Sequence, residues 1–182
     1  MPGFFSDKYR RGTHRLPGHD YSAPGKYFIT ICTKNMDHFL GRIEYDVMIL
    51  SEAGHIVENY WLEIPSHYPN AILDEYVIMP DHIHGIIVIK SKSKVKATLR
   101  LDEDRIATIS EATPKLGVGT GDRKYNIGII INQFKRICTT MSKLKGIDLA
   151  WHPRYYDHVI RGHLDLCRIR EYIRNNPGNY NK

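Results

Sequence analysis

Two apolar runs, residues 72–79 and 82–89, are separated only by Pro80 and Asp81. A connection this short makes the runs pair as neighbouring antiparallel strands, so the fold must be built around that hairpin. The second run, His82-Ile83-His84-Gly85-Ile86-Ile87-Val88-Ile89, is polar only at its head and reads as a central strand. Side chains alternate across a strand, so His82 and His84 share one face, about 7 Å apart along the chain. Two neutral imidazoles side by side are half of a divalent-metal site. A lone strand histidine more often serves packing, so the pair needs further ligands before it means chemistry.

The remaining elements follow from periodicity. Residues 27–33 (Tyr-Phe-Ile-Thr-Ile-Cys-Thr) form a strand rich in aromatic and β-branched residues. Ile56, Tyr60 and Ile64, with Val57 and Trp61 beside them, form a helical stripe over 52–64, capped by Ser51 and limited by Pro65. The stretch 39–50 is weakly patterned, with an extended tendency over 45–50. A second helix spans 126–145 through Ile127, Ile130, Ile131, Phe134, Ile137, Cys138 and Met141. Residues 151–161 lead through a turn into a last strand. A closing helix over 163–176 buries Leu166, Ile169 and Ile173 and stops before Pro177. The order βαββαβ predicts one α+β domain over 1–182, ferredoxin-like (a split βαβ), with helices on one face of an antiparallel sheet and an extra C-terminal helix. Residues 1–26 read as an irregular basic arm, and 91–125 as a long aperiodic insertion expected to be mobile.

Charge is unevenly placed. Residues 123–182 hold twelve Lys and Arg against four acids, and 1–42 hold seven against three, whereas 43–122 hold seven against thirteen. With a pI near 9.2, the basic ends favour a phosphate-backbone partner over a merely solvated surface. Arg10, Arg11, Arg15, Lys26, Lys135 and Arg136 are the candidate DNA contacts. No apolar run approaches the roughly 20 residues needed to span a bilayer, and the first residues have no signal-peptide core. Cys32, Cys138 and Cys167 are odd in number and far apart, which argues against a disulfide framework and fits a reducing cytoplasm.

The chemical partners of the histidines lie some ninety residues downstream. On a helix Tyr172 and Asn176 stack one turn apart at the border of the buried stripe. An amide oxygen there completes a His82/His84/Asn176 site for a divalent ion such as Mg²⁺ or Mn²⁺, and the Tyr172 phenol reaches the same phosphate. The plainer alternative makes Asn176 a C-terminal cap and Tyr172 a boundary residue. A phenol titrates near 10, so Tyr172 needs activation by the ion or by an arginine such as Arg168 or Arg174. Tyr155 and Tyr156 are rival nucleophiles, but on a strand they point to opposite faces. A histidine-triad nucleotide hydrolase would need a third histidine where Ile86 stands, which disfavours that class.

Four blocks in order resemble the REP-associated tyrosine transposases, single-tyrosine enzymes with a His-hydrophobic-His motif. They are residues 11–33, containing Arg15-Leu16-Pro17-Gly18-His19-Asp20-Tyr21-Ser22; Tyr76-Val77-Ile78-Met79-Pro80-Asp81-His82-Ile83-His84-Gly85; 151–161; and Glu171-Tyr172-Ile173 through Asn176-Pro177. The resemblance implies a metal held by His82, His84 and Asn176, with Tyr172 as nucleophile. It implies a substrate of single-stranded, hairpin-bearing DNA, cleaved and rejoined without ATP, in a nucleoid-associated bacterial protein. Mobile relatives often carry Gln at the position of Asn176, and 91–125 is longer than the family pattern. Three readings stay open: this strand transferase, a domesticated hairpin binder without cleavage, and a metal-dependent phosphohydrolase. Monomer and homodimer are equally compatible with the residues.

Overall fold

The computed structural model describes residues 18–21, 23–91 and 126–180. Arg10, Arg11 and Arg15 and all but one residue of the 91–125 insertion lie outside the described residues. In chain order the elements are β1 (Gly25–Cys32), β2 (Gly41–Glu44), β3 (Val47–Leu50), α1 (Glu52–Leu62), α2 (Ile64–His67), β4 (Ala71–Ile78), β5 (His82–Ile89), α3 (Ile127–Leu144), β6 (Tyr156–Ile160), α4 (His163–Arg174) and α5 (Asn176–Asn179).

Four strands form one antiparallel sheet in the order β4-β5-β1-β6. Strands β1 and β4, joined through α1, are held apart by β5, which is what a split βαβ unit produces. The Pro80-Asp81 connection pairs β4 with β5, placing the latter centrally as the sequence predicts. Alternation then sorts the side chains. Tyr27, Ile29, Ile31, Ile83, Ile87 and Ile89 face α1 and α3 in the larger core, around Trp61 and Phe134. Phe28, Ile86 and Ile160 face the other way, against Leu166 and Ile173 of α4. The two central helices thus share one face, and the C-terminal helix closes the other.

Ser51 caps α1 as its sequence position predicts, accepting from Gly54 N at 3.1 Å. Asn126 caps α3 in the same way, at 2.9 Å from Ile129 N. Three boundaries differ from expectation. Pro65 does not end the helical region but begins α2, where a first-turn proline loses no helical hydrogen bond. Pro177 likewise opens α5, after Asn175 has ended α4. The weakly patterned 39–50 stretch is a separate hairpin, β2–β3, turning at Tyr45 and Asp46 with φ of 50° and 62°. That is the primed geometry that two-residue hairpins require, here achieved without glycine or asparagine.

Candidate active site

His82 and His84 stand at the head of β5 on the α4 face, with ring centroids 4.4 Å apart. Each has its Nδ1 occupied. For His82 the partner is Asp81 Oδ1 at 2.6 Å. For His84 it is Thr30 Oγ1 at 2.8 Å, from the residue directly opposite on β1. Ligating histidines are oriented through one ring nitrogen in this way, which presents Nε2 to the site. Burial, reinforced by the neighbouring His82 charge, drives the His84 pKa well below its usual value, so its ring is neutral. On the opposite face of β5, Gly85 leaves room for Trp61 to press on the strand. A Cβ at Gly85 would lie 2.3 Å from that indole.

Tyr172 arrives from α4 in the same chain. Its hydroxyl lies 3.1 Å from His84 Nε2, and its ring centroid is 5.1 Å from that imidazole. Phe28 supports the group, 5.3 Å from His84 and 6.1 Å from Tyr172 between centroids. A neutral imidazole has one N–H and one acceptor nitrogen, so His84 donates in one of its contacts, with Thr30 Oγ1 and the Tyr172 hydroxyl, and accepts in the other. Burial raises the Tyr172 pKa, and a hydrogen bond from the Asn176 side chain opposes that rise. Asn176 is itself buried at the start of α5.

Those details decide whether a divalent ion fits. His82 Nε2 and the Asn176 amide oxygen remain for it. His84 Nε2 is engaged with the Tyr172 hydroxyl and would have to exchange that contact for the ion. Among the described residues no group of three or more His, Cys, Asp or Glu is arranged to hold a metal, and an ion between the histidines would need the Asn176 amide as a further donor. Two nitrogens and one oxygen form a donor set that accepts Mn²⁺ or Mg²⁺ with open positions for phosphate oxygens.

The helix carrying Tyr172 is tied to the edge strand by charge. Arg170 Nε and Nη2 donate to Asp74 at 2.9 and 2.6 Å, and Arg174 donates to Glu75. Asp74 and Glu75 are adjacent, yet both reach the same helix, because β4 carries an extra residue between Leu73 and Tyr76. Arg174, a candidate activator of the phenol, is therefore committed to Glu75. Tyr156, the rival nucleophile, sits across Phe28 with 6.4 Å between centroids.

Among the described residues, the candidate DNA contacts Lys26, Lys135 and Arg136 do not gather at this site. Lys26 is exposed at the other end of β1, opposite Val88, about 20 Å from the His82 level at 3.3–3.4 Å per residue. Arg136 is exposed on α3, across the sheet, with its guanidinium on Gln133. Lys135 is corrected outright. It is buried, and its ammonium donates to the carbonyl oxygens of His152 and Arg154 at 2.7 and 3.4 Å, bracing the loop before β6 and leaving no reach to DNA. Thr30 and Asp81 were not singled out from sequence. Thr30 was visible as a small polar residue within an apolar strand, and Asp81 as the acid next to the first histidine.

No family model matches the chain. An uncharacterized protein of Haemophilus influenzae is 38% identical over 176 residues, covering 93% of this chain and 92% of that one. The chain belongs to that protein's family. Among solved structures, the REP-associated tyrosine transposase bound to a REP hairpin is similar over 91% of this chain and 74% of its own, with a TM-score of 0.57. Sequence identity there is 15%, and the likeness is one of fold. The chain thus carries the α+β fold of that transposase. Among the described residues no helix is long and apolar enough to cross a membrane.

Proposed function

We propose that this chain is a transposase-type DNA strand transferase, cutting and rejoining single-stranded or hairpin DNA through Tyr172. The observation that carries the reading is the Tyr172 hydroxyl lying 3.1 Å from His84 Nε2, within one chain. Asn176 and His82 beside it complete a plausible ion site. The fold shared with a hairpin-bound transposase supports the same reading.

His82, His84 and Asn176 would hold the ion, which when bound withdraws charge from a scissile phosphate and favours the phenolate. Tyr172 then attacks phosphorus. The Tyr172 Oη–P bond forms, and the phosphorus–oxygen bond to one strand breaks. That strand leaves with a hydroxyl end, the phenol proton having passed to solvent. The second strand stays attached as a phosphotyrosine ester until a hydroxyl end reverses the exchange, so no external energy source is consumed. Asn176 assists by donating to the phenolic oxygen, the direction that stabilises the anion. Phe28 and the arginine ties on α4 hold the phenol in line, a geometric contribution that matters because misplacement by about 1 Å costs on the order of 10²-fold in rate. Arg10, Arg11, Arg15, Lys26 and Arg136 would supply positive charge for phosphates away from the cut.

The test incubates protein with end-labelled hairpin oligonucleotides and Mg²⁺ or Mn²⁺, then resolves denatured products. The expected result is a covalent protein–DNA adduct that Tyr172→Phe abolishes and His82→Ala reduces by at least 100-fold. No adduct from the wild type with either ion, or an adduct from Tyr172→Phe, overturns the assignment. Binding without adduct identifies a hairpin binder, and multiple turnover to a free phosphate end identifies a hydrolase.

A further inference from the structure

We infer that Tyr45 is a stacking platform for an unpaired nucleobase of the bound DNA, on the rim of the candidate active site. The inference deepens the strand-transfer reading, on which it rests for the identity of the ligand as DNA. Tyr45 takes the first central position of the β2–β3 turn, with φ of 50°, and is 99% exposed. Among the described non-glycine residues with positive φ it is the only aromatic. A left-handed backbone crowds the Cβ of an L-residue against the following carbonyl oxygen, and glycine, asparagine and aspartate are the residues that visit it routinely. Strain of this kind persists where packing over-determines it or where function uses it. Packing does not hold Tyr45, because a side chain so exposed buries essentially no apolar surface.

The turn is seated against the segment that closes the site. A Cβ at Gly178 of α5 would lie 3.9 Å from Asp46 Cβ, so the hairpin tip abuts that helix. Two residues beyond Gly178, the Tyr180 ring stands 6.4 Å from the His82 ring between centroids. Tyr45 therefore projects from a rim whose position is fixed relative to the imidazoles. Val47 and Ile49 follow it along the outer face of β3, 57% and 38% exposed. Alternation points them away from Met48 and Leu50, which pack toward the larger core. The outer edge of the hairpin is thus an apolar ridge that ends in an aromatic ring.

The chemistry of the tip favours a base over the sugar-phosphate chain. Tyr45 is flanked by Glu44, which is ion-paired with Arg42, and by exposed Asp46. Carboxylates there disfavour phosphates but accept from the exocyclic amino group of a base. The ring itself is indifferent to sequence, since every base has a π-face. Bases within a duplex are covered by their stacked neighbours, so the ring takes an unpaired one. A strand held by its phosphate at Tyr172 and leaving past α5 presents such bases to it.

The experiment measures binding by fluorescence anisotropy, in EDTA so that no strand is cut, with hairpin oligonucleotides carrying randomised unpaired flanks. Wild type, Tyr45→Phe and Tyr45→Asn are compared, and an abasic site is then placed at each flank position in turn. Tyr45→Phe should bind like wild type, because the hydroxyl is not used. Tyr45→Asn should bind about 5–100-fold more weakly, the loss expected of one stacked base. At one flank position the abasic site should weaken wild type to the same degree and leave Tyr45→Asn unaffected, the coupling that a direct contact gives. Tyr45→Asn should also unfold at a higher urea concentration than wild type, because asparagine suits the turn, which separates lost binding from lost folding. Wild-type affinity in Tyr45→Asn, a loss coupled to no flank position, or no binding of any probe by wild type overturns the inference. A change in the oligomeric state of Tyr45→Asn with DNA binding intact overturns it in favour of a protein contact. The two readings fail separately. A wild-type adduct with normal binding by Tyr45→Asn removes only the platform, whereas coupled loss of binding without any adduct keeps the platform and removes strand transfer.

Discussion

At the scale of single residues, a side chain's type says less than the partners the fold brings to it. Lys135 shows this best. As a lysine on a basic helix it reads as a phosphate contact, yet the helix turns it inward, and desolvation lowers its pKa to about 8. Its unfolded value is near 10.4. The folded state therefore holds the proton less tightly than the unfolded chain does. The resulting penalty is fully present below pH 8 and is relieved as pH rises from about 8 toward 10.4. Urea unfolding at pH 7.5, 8.5 and 9.5 should show wild type gaining stability relative to Lys135→Met across that range. A parallel pH dependence for the two proteins would contradict the buried charge. The variant should also be impaired locally, because the carbonyls of His152 and Arg154 lose their donor. Periodicity alone could not have revealed this inward turn, since Lys135 sits beside Phe134 at the border of the apolar stripe.

At the scale of elements, strands and helices were legible wherever one residue pattern ran uninterrupted. The β5 span of 82–89 is legible at its true limits, because the Pro80-Asp81 connection and the apolar run fix both ends. The β2–β3 hairpin was not legible, because Tyr45 and Asp46 carry no turn signature. Prolines misled at α2 and α5, where they begin a turn that sequence reading took as an end. Glycine at 85 belongs to this scale too, since it governs how closely α1 approaches β5. Gly85→Ala should cost about 1–3 kcal/mol through overpacking against Trp61. Its effect should fall on stability in urea, and on Tyr172 adduct formation only as His84, one residue before it, is displaced. A neutral Gly85→Ala would mean that the indole moves away freely.

At the scale of the whole molecule, the candidate site joins strand, edge connection and C-terminal segment of one chain. The order of elements made the fold class readable. The meeting of Tyr172 with His84 is legible from its place beside the buried helical stripe, whereas Asn176 begins α5 after a break at Asn175. What spacing could not supply was whether phenol and imidazoles meet within a chain or between two. Here they meet within one. Mixing His82→Ala with Tyr172→Phe chains should consequently restore no adduct, and wild-type adduct per chain should not fall on dilution. Restoration on mixing would show phenol and histidines exchanged between subunits.

The sheet divides the molecule into two unequal halves. Among the described residues the α1/α3 face buries Trp61, Phe134 and most of the isoleucines, whereas the α4 face buries a cluster of five hydrophobic residues and relies on two surface-side arginine ties. Local opening begins where the least apolar area is lost. The layer bearing Tyr172 is therefore expected to separate first, while β5 keeps its histidines in register against the larger core. On the strand-transfer reading, such an opening would part Tyr172 from the imidazoles and admit a bulky polyanion while the larger core stays folded.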